Sequence, residues 1–387
     1  MSIRAASKTE RALKFTILSH TGVRSGSGAW PARYELLDGL RGLAALVVVL
    51  HHLQVHDDGH FAVMVFFVIS GYCITASAES CRRKGLGFTE FMRRRIVRIY
   101  PPYWFAIAFF TATRAIKAAL GGPNDLRRPL LDWVQNVTLT QWLSTVFHPV
   151  RWPSDNPHLL VTAFWSLNYE EQFYLVMALG LLLAITRRIP LIVPVLALAL
   201  GGLVWNWRAP GNWVCGFFLE YWVHFALGCC LYFALCTFVD LRSRCAFVLI
   251  VLALGASSAM RLVPWTTDTP ADLRSMVELA FLSAVTLGLF FLRPFSLRIS
   301  RSWLWRPIAA LGTISYSLYL IHQFNLKLIE TLTEYVLPAQ APHFALILTM
   351  AGMHIALAAG FWYACERPFQ KGRTVPTVSA VPAATCG

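Results

Sequence analysis

Long apolar stretches, separated by short polar and mostly basic connections, run through most of the chain. About ten of these stretches are long enough, as helices, to cross a hydrocarbon core of about 30 Å. They cover residues 39–55, 61–78, 100–120, 165–186, 189–206, 214–236, 245–264, 276–293, 307–325 and 343–364. The pattern predicts an all-α fold, a polytopic membrane helical bundle of about ten transmembrane helices.

The composition excludes a soluble globular protein. Of the 387 residues, 56% are hydrophobic and only 14% are charged, and the mean hydropathy is +0.53. Soluble domains carry about 25% charged residues. We therefore expect a multi-pass protein of the cell (inner) membrane, surrounded by the lipid bilayer.

The formal net charge of +14 suggests at first an acidic partner such as nucleic acid. Membrane topology explains the charge better. With a cytoplasmic N-terminus and ten crossings, 25 of the 34 lysines and arginines fall on the cytoplasmic side. Because cytoplasmic loops are enriched in these residues, both termini are predicted to be cytoplasmic and no nucleic-acid partner is expected.

Three regions are predicted along the chain. Residues 1–35 are polar and basic, contain no apolar stretch typical of a secretory signal, and are interpreted as a flexible cytoplasmic tail. Residues 36–370 form one membrane domain, and 371–387 a cytoplasmic C-terminal tail. The nine cysteines show no C-x-x-C spacing, so we expect free thiols, with neither a metal site nor a disulfide framework.

The insertion at 121–164 is the largest non-membrane segment and is predicted to lie outside. It is rich in Trp, Pro and His. We interpret it as an interfacial loop whose indoles lie at headgroup level. A lid that binds an acceptor is the alternative.

Arg41 and His52 are polar residues of one strongly apolar stretch. They stand eleven positions apart, or roughly three helical turns and 16 Å, so both side chains lie on one helix face. A charged residue inside a membrane helix costs about 3 kcal/mol to insert. Such a pair is therefore explained more readily by chemistry than by packing.

A basic run precedes the third apolar stretch. On a helix Arg95 and Arg98 are i,i+3 neighbours and Arg94 and Arg98 are i,i+4 neighbours, so their guanidinium groups converge. Converging guanidiniums bind phosphate bidentately, as in a nucleotide-bearing donor such as acyl-coenzyme A. A topogenic anchor for anionic lipid is an equal alternative.

Two further groups of polar residues lie in apolar stretches. Glu170 and Glu171 project about 100° apart, so only one of them can share a face with a given partner. Ser315, Tyr319 and His322, at i, i+4 and i+7, form a polar stripe that either makes interhelical hydrogen bonds or faces a substrate. Glu220 and His224, an i,i+4 pair, are expected to form a structural bond.

Taken together, six blocks resemble acyltransferase family 3, the bacterial integral-membrane enzymes that O-acylate surface polysaccharides, lipid-linked sugars and related acceptors. They occur in the family's order between about residues 35 and 370. The blocks are Leu37-Asp-Gly-Leu-Arg-Gly-Leu-Ala-Ala-Leu, Phe66-Phe-Val-Ile-Ser-Gly-Tyr, Arg94-Arg-Ile-Val-Arg-Ile-Tyr-Pro, Trp165-Ser-Leu with Glu170-Glu-Gln-Phe-Tyr, Ile314-Ser-Tyr-Ser-Leu-Tyr-Leu-Ile-His, and Glu366-Arg-Pro-Phe.

The resemblance implies an O-acyltransferase that uses acyl-coenzyme A, most simply acetyl-coenzyme A, as co-substrate, with no permanently bound cofactor and a carbohydrate or glycolipid acceptor. The family's Arg-x10-His motif falls on Arg41 and His52, and its Arg-x-x-Arg motif on Arg95 and Arg98. The three arginines are then expected to bind the donor. A transporter, or a flippase that moves acyl groups without acceptor chemistry of its own, is the alternative.

In the predicted reaction His52 is the general base. An imidazole suits this role because its ordinary pKa of about 6.5 lies near working pH. Asp38, Glu170 or Glu171 is expected to orient the ring, and the sequence does not choose among them. Ser315, Tyr319 and His322 are expected near the acceptor or around the base.

Overall fold

A computed structural model of the chain describes residues 33–56, 59–123, 125–208, 214–238, 240–260, 270–338 and 340–370. Most of the two predicted tails, 1–32 and 371–387, lies outside the described residues. Within the described ranges the chain is helical and has no β-strand. The predicted all-α class is therefore confirmed.

The α-helices in chain order are α1 Leu36–His52, α2 Gly59–Arg83, α3 Phe88–Ala119, α4 Leu130–Thr138, α5 Trp142–Phe147, α6 Trp165–Thr186, α7 Ile192–Arg208, α8 Trp222–Cys236, α9 Leu241–Met260, α10 Pro270–Leu292, α11 Ser296–Ser300, α12 Trp305–Ile321, α13 Leu326–Val336, α14 His343–Phe361 and α15 Arg367–Gln370. Short 3-10 turns occupy Pro153–Asp155, Thr162–Phe164, Phe218–Glu220 and Arg293–Phe295, and a π-helical turn occupies Trp362–Glu366.

Each predicted apolar stretch contains a helix, but in the stretch 214–236 the helix begins only at Trp222, and residues 261–264 of the stretch 245–264 lie outside the described residues. In the described part of the chain, four helical segments are long and apolar enough to cross a membrane by themselves. They are Gly59–Arg83, Thr162–Thr186, Val277–Ser300 and His343–Gln370. The chain is thus a membrane protein, while the number of crossings and the side of the termini stay predictions.

Two glycines let the central helices touch backbone to backbone. A Cβ at Gly312 of α12 would lie 1.8 Å from the carbonyl oxygen of Asp38 on α1, and a Cβ at Gly228 of α8 would lie 1.9 Å from that of Val68 on α2. Small residues permit this close approach, which is a common way of packing helices in membranes. The α1–α12 and α2–α8 pairs therefore form the frame of the bundle.

The segment 121–164 is folded against α3. Three aromatic side chains of α3 contact the last carbonyls of α4: Tyr103 donates to Asn136 at 2.6 Å, Trp104 donates to Val137 at 2.9 Å, and the hydroxyl oxygen of Tyr100 lies 3.1 Å from the carbonyl oxygen of Thr138. These carbonyls have no partner within α4 itself. The sequence Tyr-Pro-Pro-Tyr-Trp thus fixes the segment by capping α4, and a role as a lid stays a prediction.

Candidate active site

A narrow polar cavity lies between α1, α2, α3, α6 and α12. The space open to a water-sized sphere is about 60 Å³. One part is basic and the other carries hydroxyl groups; the polar side chains that line it are Arg41, Ser70, Cys73, Arg95, Arg98, Ser166, Glu170, Tyr174, Ser315, Tyr316 and Tyr319. The structure thus brings together six residues predicted from the sequence, namely Arg41, Arg95, Arg98, Glu170, Ser315 and Tyr319.

The basic run divides into two pairs. At the exposed start of α3, Glu90 accepts hydrogen bonds from Arg93 and Arg94 at 2.8 and 2.7 Å, and these bonds lower the pKa of Glu90 to about 2. Arg95 and Arg98 instead turn into the cavity. Of the three arginines predicted to converge, Arg94 is therefore paired with Glu90 and does not line the cavity. Arg95 and Arg98 are the pair available to a ligand.

Arg95 is 6% exposed and has an unusual environment. Its guanidinium lies 5.6 Å from the ring centroid of Phe91 and 5.9 Å from that of Tyr174, and its Nε has no hydrogen-bond partner among the described residues. A buried donor without a partner is costly unless a ligand or water satisfies it. The environment of Arg95 is that expected of an anion-binding group.

The two adjacent glutamates have different partners, as their spacing on a helix requires. Glu170 accepts hydrogen bonds from Ser70 of α2 at 3.0 Å and from Tyr174 at 2.5 Å. Glu171 accepts a short hydrogen bond from Tyr100 of α3. Glu170 therefore joins α2 to α6 beside the arginines, whereas Glu171 faces α3.

His52, the last residue of α1, lies beyond the hydroxyl-bearing part of the cavity. Its Nδ1 is 3.0 Å from the carbonyl oxygen of Val48, so Nδ1 must carry the proton and the lone pair of the neutral ring is on Nε2. The ring is half-buried. The backbone of its own helix thus fixes the tautomer that a general base needs.

His322, just after α12, faces His52. The two ring centroids are 4.8 Å apart in an edge-to-face arrangement. His322 is fully buried, its Nδ1 is 2.8 Å from the carbonyl oxygen of Tyr319, and its Nε2 has no partner among the described residues. In both rings Nδ1 therefore donates a hydrogen bond to a backbone carbonyl oxygen, and Nε2 is left for other groups.

Tyr319 connects this pair of rings to the cavity. Its hydroxyl is 2.6 Å from Ser166 Oγ and donates to the carbonyl oxygen of Ala163 at 2.6 Å, so this part of the predicted stripe makes interhelical bonds. Ser315 donates to the carbonyl oxygen of Gly312 at 2.8 Å, within its own helix. The stripe is therefore both structural and part of the cavity wall.

Sequence reasoning missed His354 of α14. It is 1% exposed, neither ring nitrogen has a partner among the described residues, and it lies close enough to His52 and His322 to interact with both electrostatically. A lone histidine in an apolar helix carries the insertion cost that drew attention to His52. The same argument, applied to α14, would have found it.

The predicted carboxylates lie away from the His52 ring. Asp38 is exposed near the start of α1, fourteen residues or roughly 21 Å along the helix from His52. Glu170 and Glu171 have the partners described above. The hydrogen bond that orients the His52 ring is the one that its Nδ1 donates to the carbonyl oxygen of Val48. A part for the carboxylates in the reaction stays a prediction.

The prediction of a hydrogen bond between Glu220 and His224 is wrong. Glu220 lies in a 3-10 turn before α8, where i,i+4 geometry does not hold. It accepts hydrogen bonds from Tyr169 at 2.5 Å and from the Cys215 amide at 2.6 Å. His224 bonds instead to Glu278 of α10 at 2.6 Å.

Glu278 has a second imidazole partner, His60 of α2, at 2.9 Å. Glu278 is 6% exposed. One carboxylate oxygen faces each ring, so the residue joins α2, α8 and α10. A partner on so distant a helix has no signal in local spacing, which is why the sequence did not reveal it.

Comparison with known proteins agrees with the predicted resemblance. Residues 34–369 match the family described as "Acyltransferase domain". Over 148 residues the chain is 32% identical to "O-acetyltransferase OatA" of Staphylococcus aureus, covering 37% of this chain and 24% of that protein. It is 30% identical over 150 residues to "Peptidoglycan O-acetyltransferase OatA" of Listeria monocytogenes, covering 36% and 23%.

The matched segment thus spans about a quarter of the length of these two relatives. A third relative, "Protein 2 in picA locus" of Rhizobium radiobacter, is 30% identical over 151 residues, with 36% of this chain and 78% of that protein covered. No solved structure matches.

Proposed function

The chain belongs to the acyltransferase domain family, and on that premise we propose that it is a membrane-embedded O-acyltransferase. It moves an acyl group, most simply acetyl, from acyl-coenzyme A to a hydroxyl of a carbohydrate or glycolipid acceptor. The names of two relatives, both O-acetyltransferases, support the acetyl group, and one names peptidoglycan, a carbohydrate polymer. We place it in the inner membrane as a multi-pass protein with both termini in the cytoplasm.

The observation that carries this proposal is the polarity of one cavity. Arg41, Arg95 and Arg98 line its basic part, and Tyr319 connects its other part to His322 and His52. Since α1 carries Arg41 near its start and His52 at its end, the basic part of the cavity and the His52 ring lie about 16 Å apart along the helix. An extended donor with phosphates at one end and a thioester at the other matches this arrangement.

Arginines bind phosphoryl oxygens strongly, and buried ones do so with little competition from water. Arg95 has an Nε without a partner among the described residues and is therefore poised to donate. Arg41 and Arg98 line the same cavity and add charge. In this proposal the three side chains hold the phosphates of coenzyme A, and the topogenic role of the basic run is served by Arg93 and Arg94, which do not line the cavity.

The chemical step follows from the tautomer of His52. Nε2 of His52 accepts the acceptor's hydroxyl proton while that oxygen attacks the thioester carbonyl, forming the new C–O bond. The C–S bond then breaks, and the coenzyme A thiolate takes the proton from Nε2. General base catalysis of this kind contributes about 10² to 10⁴-fold. His322 positions the His52 ring across the edge-to-face contact.

The proposal is tested by incubating the purified protein in lipid nanodiscs with labelled acetyl-coenzyme A and a hydroxylated acceptor. An acyltransferase yields a labelled ester on the acceptor and free coenzyme A in equal amounts. A transporter yields neither product. A flippase yields coenzyme A or acylated protein without acceptor ester, and either of these two outcomes would overturn the proposal.

A further inference from the structure

His354 is the one polar residue on the buried face of α14. The buried residues of this helix are Ala351, His354, Ala358 and Phe361, whose spacing places them on one face. α14 packs against α1 and α12, whose C-terminal ends carry the two facing imidazoles. The fold therefore holds a third imidazole inside the bundle, close enough to the other two to interact with them electrostatically.

The three imidazoles differ in how their ring hydrogens are used. His52 and His322 each donate from Nδ1 to a backbone carbonyl oxygen, that of Val48 and that of Tyr319. A neutral imidazole carries one ring hydrogen, so Nε2 of both rings is an acceptor. His354 is 1% exposed, and neither of its nitrogens has a partner among the described residues. Of the three rings, His354 is therefore the one whose N–H is not already used, whichever nitrogen carries it.

Three nearby hydroxyl groups have also used their hydrogens. Tyr319 donates to the carbonyl oxygen of Ala163, so in the contact between Tyr319 and Ser166 the serine is the donor. Ser315 donates to the carbonyl oxygen of Gly312. Each hydroxyl carries a single hydrogen. None of the three can donate to a substrate without giving up a bond to the protein.

A donor is needed here because acyl transfer creates a negative charge. When the acceptor oxygen adds to the thioester carbonyl, the carbonyl oxygen becomes an oxyanion, and donors held ready for that charge lower the barrier. A buried polar group without a partner costs stability and calls for an explanation. A partner that forms only during the reaction explains why the N–H of His354 is unused in the resting protein.

We propose that His354 donates its N–H to the thioester carbonyl oxygen as that oxygen becomes negative. While the acceptor oxygen forms the new C–O bond, the carbonyl electron pair moves onto this oxygen and the acceptor's proton moves to Nε2 of His52. The pair returns when the C–S bond breaks, and the leaving thiolate takes the proton. His354 stays neutral throughout. The inference rests on the proposed acyl transfer and adds a second catalytic residue to it.

The kinetic test compares three variants in acetyl transfer by protein in nanodiscs. His354→Leu removes the donor and should lower kcat by about 10² to 10³-fold, the usual effect of losing one oxyanion donor, with the KM for acetyl-coenzyme A within about twofold of wild type. His354→Gln keeps an N–H donor and should be at least about tenfold faster than His354→Leu. His343→Leu is the matched control, because this histidine is exposed at the start of the same helix, and it should transfer at the wild-type rate.

A purely structural role would give a different pattern. Leucine at position 354 removes two unpartnered buried nitrogens, so the Tm in detergent should be no lower than that of wild type. Equal kcat for His354→Leu and His343→Leu would overturn the inference. Equal losses of kcat in His354→Leu and His354→Gln would overturn it too, because the loss would then not depend on the donor.

Two coenzyme A analogues test the oxyanion contact directly. The ketone of trifluoroacetonyl-coenzyme A adds a hydroxyl group and becomes tetrahedral like the reaction's intermediate, whereas acetonyl-coenzyme A keeps the same phosphates and a planar ketone. Wild-type protein should bind the first analogue more tightly. The ratio of the two dissociation constants should fall at least about tenfold in His354→Leu and stay within about twofold of wild type in His343→Leu. An unchanged ratio in His354→Leu would overturn the inference.

Failure of the proposed acyl transfer has a separate signature. In that case wild-type protein makes no ester from labelled acetyl-coenzyme A and a hydroxylated acceptor. Ester formation by the wild type together with an unchanged analogue ratio in His354→Leu would instead remove His354 alone from the reaction.

Discussion

His52 and His322 face each other with ring centroids 4.8 Å apart, although they lie at opposite ends of the sequence. The contact depends on the close packing of α1 against α12, because each histidine stands at or just after the end of one of these helices. Each ring is held through Nδ1 by a backbone carbonyl. Each ring therefore leaves its Nε2 to other groups, and the His322 ring lies 5.7 Å from that of Tyr319, which lines the polar cavity.

Replacing His322 by Ala is expected to lower kcat by about 10-fold or more, because the His52 ring loses the side chain that confines it. The KM for acetyl-coenzyme A should stay within about twofold, since the arginines are untouched. Steady-state kinetics in nanodiscs measures both. An unchanged kcat would show that His322 has no part in positioning the base.

Arg95→Ala and Arg98→Ala are each expected to raise the KM for acetyl-coenzyme A by about 10-fold or more, because a hydrogen bond to a charged group contributes about 1.5–3 kcal/mol. Arg93→Ala is the matched control. Its side chain is exposed, pairs with Glu90 and does not line the cavity. An equal effect of all three substitutions would assign the run to membrane anchoring.

Gly312→Val is expected to prevent α1 from packing on α12, because its Cβ would meet the Asp38 backbone. Overpacking of this kind costs about 1–3 kcal/mol or more, and the Tm in detergent should fall. Gly288→Ala in α10 is the control, since a Cβ there meets nothing within 4 Å. A wild-type Tm for Gly312→Val would contradict the described packing.

Glu278→Leu is expected to lower the stability of the bundle by about 3–5 kcal/mol, because it leaves His60 and His224 without their shared partner in a buried site. Glu278→Gln, which can still accept one hydrogen bond, should be less damaging. Thermal unfolding in detergent compares the two variants. Equal stability of Glu278→Leu and the wild type would show that the carboxylate does not join the three helices.

The helices, and the arginines and histidine that share a helix face, were predictable because the sequence patterns that indicate them are local. Apolar stretches gave the long helices, and the spacing of Arg41 and His52 placed both on the face that packs against α12. The i,i+3 spacing of Arg95 and Arg98 likewise predicted that they share a face. These inferences need only helical periodicity.

The remaining features depend on contacts between distant segments. Glu278 and His224 are joined across α8 and α10, and His354 approaches His52 from α14. The polar cavity is lined by side chains from α1, α2, α3, α6 and α12, five helices that are far apart in the sequence. Periodicity indicates which face of a helix is polar, but it does not indicate which other helix that face meets.

The most direct measurement of the central claim is acetyl transfer by His52→Ala protein in nanodiscs, compared with His51→Ala. His51 is the neighbouring histidine, and its Nδ1 is 3.0 Å from the carbonyl oxygen of His56. We expect His52→Ala to lose about 10² to 10⁴-fold in kcat while its amount in the membrane and its KM for acetyl-coenzyme A stay unchanged. Transfer by His52→Ala at the rate of the His51→Ala protein would contradict the assignment of His52 as the base.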